Sequence, residues 1–181
     1  MANIVAAEYV TLDGVMEAPE NWVFPFWNDE LSRYTLDQLF ASSCMLLGRQ
    51  TYGIFAASWP SRTDDEGRAD RMNGMPKYVV TSKPSGLDWN NSSAVTGGLA
   101  ESVKALKENE QGDILIWGSG RLVADLLRHG LLDEIRLMVF PTVLGAGKRL
   151  FETGAPNVTM TLAESRVTST GVPILVYRPA Y

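Results

Sequence analysis

Three short segments of this chain combine glycines, hydroxyl groups and cations, which are the groups that bind phosphate. They are Gly48-Arg49-Gln50-Thr51, Thr81-Ser82-Lys83 and Gly118-Ser119-Gly120-Arg121, and each directly follows a run of apolar residues. Glycine lets a ligand approach the backbone closely. The free amides and the dipole at a helix N-terminus favour an anion. Three such turns brought together predict a ligand with several phosphates, such as a dinucleotide.

Each of these turns also has a purely structural interpretation. Arg49 is explained equally well as a surface arginine paired with an acid. The segment Thr81–Lys83 has the composition of an ordinary polar loop. Ser119 is predicted to cap the helix that follows it, which carries an apolar stripe.

The elements that position the turns alternate between short apolar strands and amphipathic helices. Strands are predicted over residues 4–9, 45–47, 78–80 and 114–117. Helices are predicted over residues 28–40, after Gly48, over residues 99–109 and after Gly118. The polar residues 61–76 are predicted to form a solvated loop. In such a β-α arrangement a ligand binds outside the carboxyl ends of the parallel strands.

The pattern changes after Gly130, where three further strands follow with no room for a helix between them. They cover residues 135–140, 158–162 and 174–177, and they are predicted to pair antiparallel. The fold class is therefore α/β, with a mixed, mostly parallel sheet and antiparallel C-terminal strands.

These C-terminal strands carry apolar residues on both faces. Leu137 and Val139 alternate with Met138 and Phe140. Sheet strands that are apolar on both faces need helices or a second subunit over them. We therefore expect a homodimer.

Several other kinds of site are excluded by the sequence. The glycine turn lacks the third small residue of a dinucleotide fingerprint, because Val123 stands there, and Gly147-Lys148 lacks the hydroxyl residue of a P-loop, because Arg149 follows. No Cys/His cluster supports a metal site. His129, the only histidine, is expected to be a surface residue at a helix C-terminus.

The composition predicts a cytoplasmic protein with a small-molecule ligand. The 181 residues suit one domain, and the net charge of −5 argues against a nucleic-acid partner. The one cysteine, Cys44, excludes an intramolecular disulfide. No signal peptide is expected, and no run approaches the about 20 apolar residues of a membrane helix.

Five motifs in a fixed order carry a resemblance to a known family over nearly the whole chain. They are Leu12-Asp13-Gly14, residues 47–52, Val80-Thr81-Ser82, residues 116–120, and residues 141–147 with Leu150-Phe151. Their order and spacing resemble the dihydrofolate reductase fold. More closely, they resemble the C-terminal reductase domain of bacterial riboflavin-biosynthesis deaminase-reductases and its stand-alone relatives. The resemblance implies one three-layer domain over residues 1–181.

The resemblance also implies NADPH as the cofactor. Residues 48–51 would lie along its phosphates, Arg49 with Ser82 or Lys83 would hold the 2′-phosphate, and residues 118–121 would take the pyrophosphate. The implied cofactor-binding residues are Gly48, Arg49, Gln50, Thr51, Thr81, Ser82, Lys83, Gly118, Ser119, Gly120, Arg121 and Leu122.

On the substrate side, the resemblance places Asp13 and Gly14 beside the nicotinamide and the substrate, and Asp13 is the candidate proton donor or hydrogen-bonding partner of the substrate. Trp22 belongs to an aromatic loop that either packs on the core or forms a lid over a flat ligand. Ser32 and Trp117 stand where folate reductases and riboflavin-type reductases carry acids. Ser32 argues against folate, and Trp117, which would make a flatter, more apolar pocket, argues against the pyrimidine substrate of the riboflavin-type reductases.

The resulting hypothesis is an NADPH-dependent reductase that passes hydride to a small heterocyclic substrate. Riboflavin-type 5-amino-6-(5-phosphoribosylamino)uracil reductase activity is implied by the resemblance alone. The alternative is an NADP(H)-binding sensor or interaction module without turnover. A third interpretation is a domain whose three turns are only structural.

Overall fold

A computed structural model describes the whole chain, residues 1–181, with eight strands and five α-helices. The strands are β1 (Ile4–Thr11), β2 (Ser42–Gly48), β3 (Lys77–Val80), β4 (Ser92–Val95), β5 (Asp113–Trp117), β6 (Glu134–Phe140), β7 (Met160–Val167) and β8 (Pro173–Pro179). The α-helices are α1 (Asp29–Ala41), α2 (Arg49–Ser58), α3 (Arg68–Gly74), α4 (Leu99–Asn109) and α5 (Gly120–Arg128). None of the helices has the length and apolar content needed to cross a membrane.

All eight strands form one sheet in the order β4-β3-β2-β5-β1-β6-β8-β7. Every pairing from β4 to β6 is parallel, whereas β8 pairs antiparallel with both β6 and β7. The predicted mixed sheet with antiparallel C-terminal strands is therefore confirmed. The carboxyl ends of β3, β2, β5 and β1 lie next to one another at one edge.

Two hydrophobic cores lie on the two faces of the sheet, because successive side chains of a strand point to opposite faces. In β1, Ile4, Ala6 and Val10 pack with residues of α4 and α5. Ala7 points to the other face, where it packs with residues of α1, α2 and α3. The sheet is thus the middle of three layers.

The prediction of a solvated loop over residues 61–76 is wrong, because this segment contains α3. The Asp64 carboxylate accepts hydrogen bonds from the amides of Arg68 (2.8 Å) and Ala69 (2.6 Å) at the start of this helix. Ala69 and Met72 are buried in the core. Arg71 donates to the carbonyl oxygens of Leu39 and Ser42. The charged residues that suggested a loop therefore cap the helix and bind it to its neighbours.

Strand β4 is also absent from the sequence prediction. It has four residues, Ser-Ser-Ala-Val, and none of them is fully buried. The strand pairs with β3 through Lys77 to Val80 and forms one edge of the sheet. A strand this short and polar gives no alternating apolar pattern to detect.

Candidate active site

Two of the three predicted turns are joined directly by hydrogen bonds through Ser119. The Gly48 amide donates to the Ser119 hydroxyl (2.9 Å), and the Ser119 amide donates to the Thr51 hydroxyl (3.0 Å). These bonds link the start of α2, which follows β2, to the start of α5, which follows β5. The structure thus brings two phosphate-compatible helix N-termini side by side.

Ser119 does not cap α5 as predicted. Its backbone is left-handed (φ 62°) and its hydroxyl makes no bond to its own helix, because it accepts the Gly48 amide instead. The amides of Gly48, Gly118 and Ser119 are all satisfied by side chains of the protein. The amides left for an anion are therefore those of the first helical turns, at residues 49–51 and 120–122, which have no acceptor within their helices.

Gly118 lets the two turns approach each other. Its φ is +69°, and a Cβ at this position would lie 3.1 Å from Cγ2 of Thr51. A side chain here would be strained by the backbone and crowded by Thr51 at the same time. The close approach of β5–α5 to α2 therefore depends on glycine.

The third turn, Thr81–Lys83, lies at the end of the neighbouring strand. Val80 pairs with Gly48, so both strands end at the same level. The Thr81 hydroxyl accepts the Lys83 amide (3.0 Å), and Ser82 and Lys83 are exposed. Arg49 reaches into the following loop, where its Nη2 donates to the carbonyl oxygen of Gly86 (3.2 Å). The Arg49 guanidinium is thus placed beside the segment that carries Ser82 and Lys83.

The side chain of Leu122, one of the predicted cofactor-binding residues, does not face the candidate site. Its side chain is buried in the core beneath α5, so only its backbone amide faces a ligand. Arg121 is exposed at the first turn of the same helix. A cleft of about 240 Å³ runs along α5 from Gly120 and Arg121 to Arg128, with Lys148 and Arg149 on its other side.

Asp13 is not suited to the predicted role of proton donor. Its carboxylate accepts hydrogen bonds from the Thr11 hydroxyl (2.6 Å) and from the amides of Gly145 (2.8 Å) and Leu144 (3.2 Å). The Thr11 hydroxyl is the largest influence, followed by the Gly145 amide, and the pKa of Asp13 is lowered to about 2. The carboxyl group is therefore ionised at neutral pH and holds no proton to give.

Asp13 instead anchors the loop over residues 141–151 to the turn over residues 11–17. The two segments also meet through Val15 and Arg149, which form a β-bridge, and through the Leu150 amide, which donates to the Gly14 carbonyl oxygen (3.0 Å). This gives a structural role to the Leu144–Gly147 motif, which the sequence did not assign. A Cβ on Gly120 would lie 2.9 Å from Met16 Sδ and 3.4 Å from the Leu150 oxygen, so both segments flank the start of α5.

The aromatic loop after Gly14 packs on the core, and Trp22 is not available to stack on a substrate. The Trp22 ring is buried and meets the buried Phe140 ring edge-on, with centroids 5.5 Å apart. Its Nε1 donates to the Glu17 carbonyl oxygen (3.0 Å). Phe26 also packs edge-on against Phe140. The packed interpretation of this loop is confirmed for Trp22.

Trp117 and Tyr9 form a partly exposed aromatic wall on the α1–α2 side of the sheet. Trp117 ends β5 and pairs with Ala7, and Tyr9 lies two residues further along β1 on the same face. The Tyr9 ring meets Trp27 edge-on at 5.9 Å. Burial raises the pKa of Tyr9 to about 12, so its phenol stays protonated at neutral pH.

Ser32, at the position of the folate reductase acid, lies next to a cation. Nη2 of Arg68 donates to the Ser32 hydroxyl (3.1 Å) and Nη1 donates to the Thr35 hydroxyl (3.0 Å). The Ser32 hydroxyl donates to Glu66 at 3.3 Å. This position of α1 therefore binds the Arg68 guanidinium, and the nearby Glu66 carboxylate is already bonded to Ser32 and paired with Arg68.

Glu8 lies at the candidate site, and the sequence analysis did not predict it as a site residue. It is 2% exposed, and its Oε2 accepts the Gly118 amide (2.9 Å). The available signal was a carboxyl residue inside the apolar run Ile4-Val5-Ala6-Ala7-Glu8-Tyr9-Val10. A charged residue in a buried strand is unusual unless it has a partner. No cluster of three or more His, Cys, Asp or Glu side chains is arranged to hold a metal ion.

Comparison with known proteins identifies the family. Residues 2–174 match the family described as the RibD C-terminal domain. The chain belongs to this family. This RibD C-terminal-domain protein is 29% identical over 171 residues to the uncharacterized protein YyaP of Bacillus subtilis (strain 168), covering 93% of this chain and 90% of YyaP.

Solved structures show the fold of this RibD C-terminal-domain protein. A candidate riboflavin biosynthesis protein from Shewanella sp. PV-4 matches over 100% of both chains, with a TM-score of 0.75 and 20% identity. A deaminase/5-amino-6-(5-phosphoribosylamino)uracil reductase from Thermotoga maritima matches over 99% of this chain and 57% of its own, with a TM-score of 0.69 and 13% identity. Dihydrofolate reductase from Enterococcus faecalis, complexed with NADP(H), matches over 99% and 97%, with a TM-score of 0.64 and 13% identity. The predicted dihydrofolate reductase-like fold is confirmed.

Proposed function

We propose that this protein is an NADPH-dependent reductase that transfers hydride to a small heterocyclic substrate. The observation that carries the proposal is the pair of hydrogen bonds through Ser119, which set the N-termini of α2 and α5 side by side. Two helix N-termini at one sheet edge suit a diphosphate, since each offers free amides and a positive dipole end. When bound, the cofactor supplies the hydride.

Arg49 is the proposed determinant for the 2′-phosphate that distinguishes NADPH from NADH. Its guanidinium is exposed at the start of α2 and is not paired with a carboxylate. Lys83 and Ser82 lie on the exposed segment at the end of the neighbouring strand. A guanidinium with a nearby hydroxyl and ammonium matches a phosphomonoester.

The proposed substrate site is the aromatic wall of Trp117 and Tyr9. A flat ring would lie against these side chains. 5-Amino-6-(5-phosphoribosylamino)uracil is tested first because the chain belongs to the RibD C-terminal domain family, although Trp117 stands where riboflavin-type reductases carry an acid. Folate is disfavoured because Arg68 is bonded to Ser32, where folate reductases place an acid.

A second candidate is an NADP(H)-binding module without turnover. It is favoured by the ionised state of Asp13, which removes the predicted proton donor, and by the lack of acids at Ser32 and Trp117. Such a module would bind the cofactor through the same two turns and use the bound state to signal or to recruit a partner.

We also propose a homodimer that covers the exposed face of the antiparallel strands. Leu137 lies opposite Leu175, and Tyr177 lies opposite Leu162; Leu162 is exposed and the other three side chains are half-buried. In β7, at the sheet edge, seven of eight residues are exposed. An apolar face of this kind is suited to a second subunit.

Turnover is tested by following NADPH oxidation with a panel of pyrimidines, pterins and quinones. Oxidation that depends on one compound class and on the protein supports the reductase. NADPH binding without oxidation by any compound supports the binding module. A protein that binds neither NADPH nor NADH has neither function.

A further inference from the structure

The carboxyl group of Glu8 is buried beside Gly118, and only one of its two oxygens makes a hydrogen bond. Its Oε2 accepts the Gly118 amide at 2.9 Å. Its Oε1 is buried and has no hydrogen-bond partner. A buried polar atom without a partner costs free energy that an apolar residue in a core strand would not cost. Core packing alone therefore does not account for a carboxyl group at this position.

The charge state of the carboxyl group agrees with this enclosed position. Burial raises the pKa of Glu8 well above its usual range, and the opposing effect of the Gly118 amide is smaller. None of the ion pairs of the protein involves Glu8. Burial thus favours the neutral form of this carboxyl group, and one of its oxygens is used by one backbone amide.

Glu8 stands at the start of a series of hydrogen bonds that crosses three adjacent strands. Gly118 donates to Glu8 of β1, Ser119 donates to Thr51 after β2, and Gly48 donates to Ser119 after β5. Strands β2, β5 and β1 are neighbours in the sheet. These bonds therefore fix the N-terminus of α5 relative to β1 and to the N-terminus of α2.

Two consecutive residues in this series hold left-handed backbone conformations. Gly118 has φ +69° and Ser119 has φ 62°. A non-glycine residue in this region is uncommon and is maintained by surrounding contacts. The bond to Glu8 is the contact that holds the first of the two residues, and Thr51 holds the second.

We propose that Glu8 is a positioning residue that holds the Gly118-Ser119 turn in its ligand-binding shape. It acts through the Gly118 amide and does not itself touch the ligand. Its effect on cofactor affinity rests on the proposed function, since the amides of residues 120–122 and 49–51 are presented by this turn and its partner. Its effect on the turn itself does not depend on the identity of the ligand.

Two variants at this position separate the acceptor from the bulk of the side chain. Glu8→Gln keeps the size of the side chain and an oxygen acceptor for the Gly118 amide, whereas Glu8→Leu keeps similar bulk without the acceptor. Gln38→Leu is the matched control, because Gln38 is also a buried polar residue (4% exposed) with unpartnered side-chain atoms, but it lies on α1. Thermal unfolding of each full-length variant shows that the compared proteins are folded.

Two readouts are measured, namely hydrogen exchange of the Gly118 amide by NMR and the Kd for NADPH by tryptophan fluorescence. For Glu8→Leu we expect exchange at least about 10-fold faster and a Kd about 5- to 150-fold higher, the range for a buried donor left without its acceptor. In Glu8→Gln both the exchange rate and the Kd are expected to stay within about 3-fold of the wild-type values. Gln38→Leu is expected to leave both unchanged.

Three outcomes would overturn the proposal. The first is an unchanged exchange rate of the Gly118 amide in Glu8→Leu. The second is a Glu8→Gln variant whose exchange rate and Kd change as much as those of Glu8→Leu. The third is a loss of NADPH affinity in Gln38→Leu as large as that in Glu8→Leu. If the wild type binds no NADPH, the proposed function fails, and the Gly118 exchange rates of the variants still decide whether Glu8 positions the turn. The two failures are therefore distinguishable.

Discussion

At the scale of single residues, Asp13 shows how neighbouring groups decide what a side chain can do. The Thr11 hydroxyl and the amides of Gly145 and Leu144 surround its carboxylate. These donors stabilise the charged form. A residue with the type and place of a proton donor is thereby converted into an anchor for a loop.

The anchor is expected to be lost in acid. The pKa of Asp13 is about 2 in the folded protein, below the ordinary value of 3.8. A lowered folded-state pKa means that the stabilisation is fully present above pH 3.8 and is lost as the pH falls through about 2. NMR titration of the Gly145 amide should show a midpoint near pH 2, and this transition should be absent in Asp13→Asn. A midpoint at or above the ordinary value would contradict the anchor.

Lys77 is the second residue whose role follows from its contacts. It is buried, and its Nζ donates to the carbonyl oxygens of Asn73 (2.9 Å), Met75 (2.9 Å) and Asn90 (2.8 Å). The ammonium also lies 4.2 Å from the centroid of the Trp89 ring. One cation thus joins the end of α3, β3 and the loop before β4.

Lys77→Met is expected to lower the free energy of unfolding by about 2–5 kcal/mol, because it leaves three carbonyl oxygens without their donor. The measurement is urea denaturation, with Lys104→Met as the control, since Lys104 is exposed on α4 and makes no hydrogen bond. Equal stability of the two variants would show that the buried ammonium does not hold these elements together.

At this scale the sequence predicts which turns are suited to phosphate, but it does not predict the residues to which these turns are hydrogen-bonded. Glycines, hydroxyls and cations after apolar runs indicate a phosphate site at Gly48 and Gly118 from local pattern alone. The bonds of Ser119 to Gly48 and of Asp13 to Gly145 join residues far apart in the sequence. Such partners depend on the order of strands in the sheet, which local patterns do not contain.

At the scale of elements, the amphipathic helices and buried strands are predictable because each has a strong period. Helix α5 buries Leu122, Val123, Leu126 and Leu127 on one side. Helix α3 escapes prediction because it is short and its polar residues bind other parts of the protein. Elements whose stability comes from tertiary contacts leave little trace in local sequence.

The loop over residues 141–151 offers a test of how one element supports another. Gly147 has φ +119°, and a Cβ there would lie 2.8 Å from Val15 Cγ1. Gly145 has φ +77°, and a Cβ added to it would meet no atom within 4 Å. Gly145 is therefore a control that also has a positive φ but lacks the steric conflict.

Gly147→Ala is expected to destabilise the protein more than Gly145→Ala, by about 1–3 kcal/mol, because it adds overpacking against Val15 and holds alanine at a φ further from the left-handed region. Urea denaturation of the two variants measures the difference. Equal losses would mean that the loop moves away from Val15 at no cost, and that its contact with the turn over residues 11–17 is weak.

At the scale of the whole molecule, the exposed face of the antiparallel strands is the main feature that one chain leaves uncovered. Leu162 is 49% exposed and Val167 is 66% exposed on the edge strand β7. Edge strands with exposed apolar residues are usually protected. A second copy of the chain would provide this protection.

We expect sedimentation equilibrium to give a dimer, and Leu162→Glu to shift it to the monomer by placing a charge in the interface. Ile54→Glu is the control, because Ile54 is also exposed (62%) but lies on α2. A monomeric wild type would remove the proposed dimer. Dissociation by both variants would place the interface elsewhere or show a general effect of charge.

The proposed cofactor site is tested by the binding of NADPH and of NADH, each followed by quenching of the five tryptophans. We expect micromolar NADPH binding and NADH binding about 10- to 150-fold weaker, since NADH lacks one well-paired phosphate. Arg49→Met should remove this preference, and Arg62→Met, which alters another arginine beside an aromatic ring, should retain it. Equal affinity for the two cofactors would contradict the role of Arg49, and binding of neither would contradict the cofactor site.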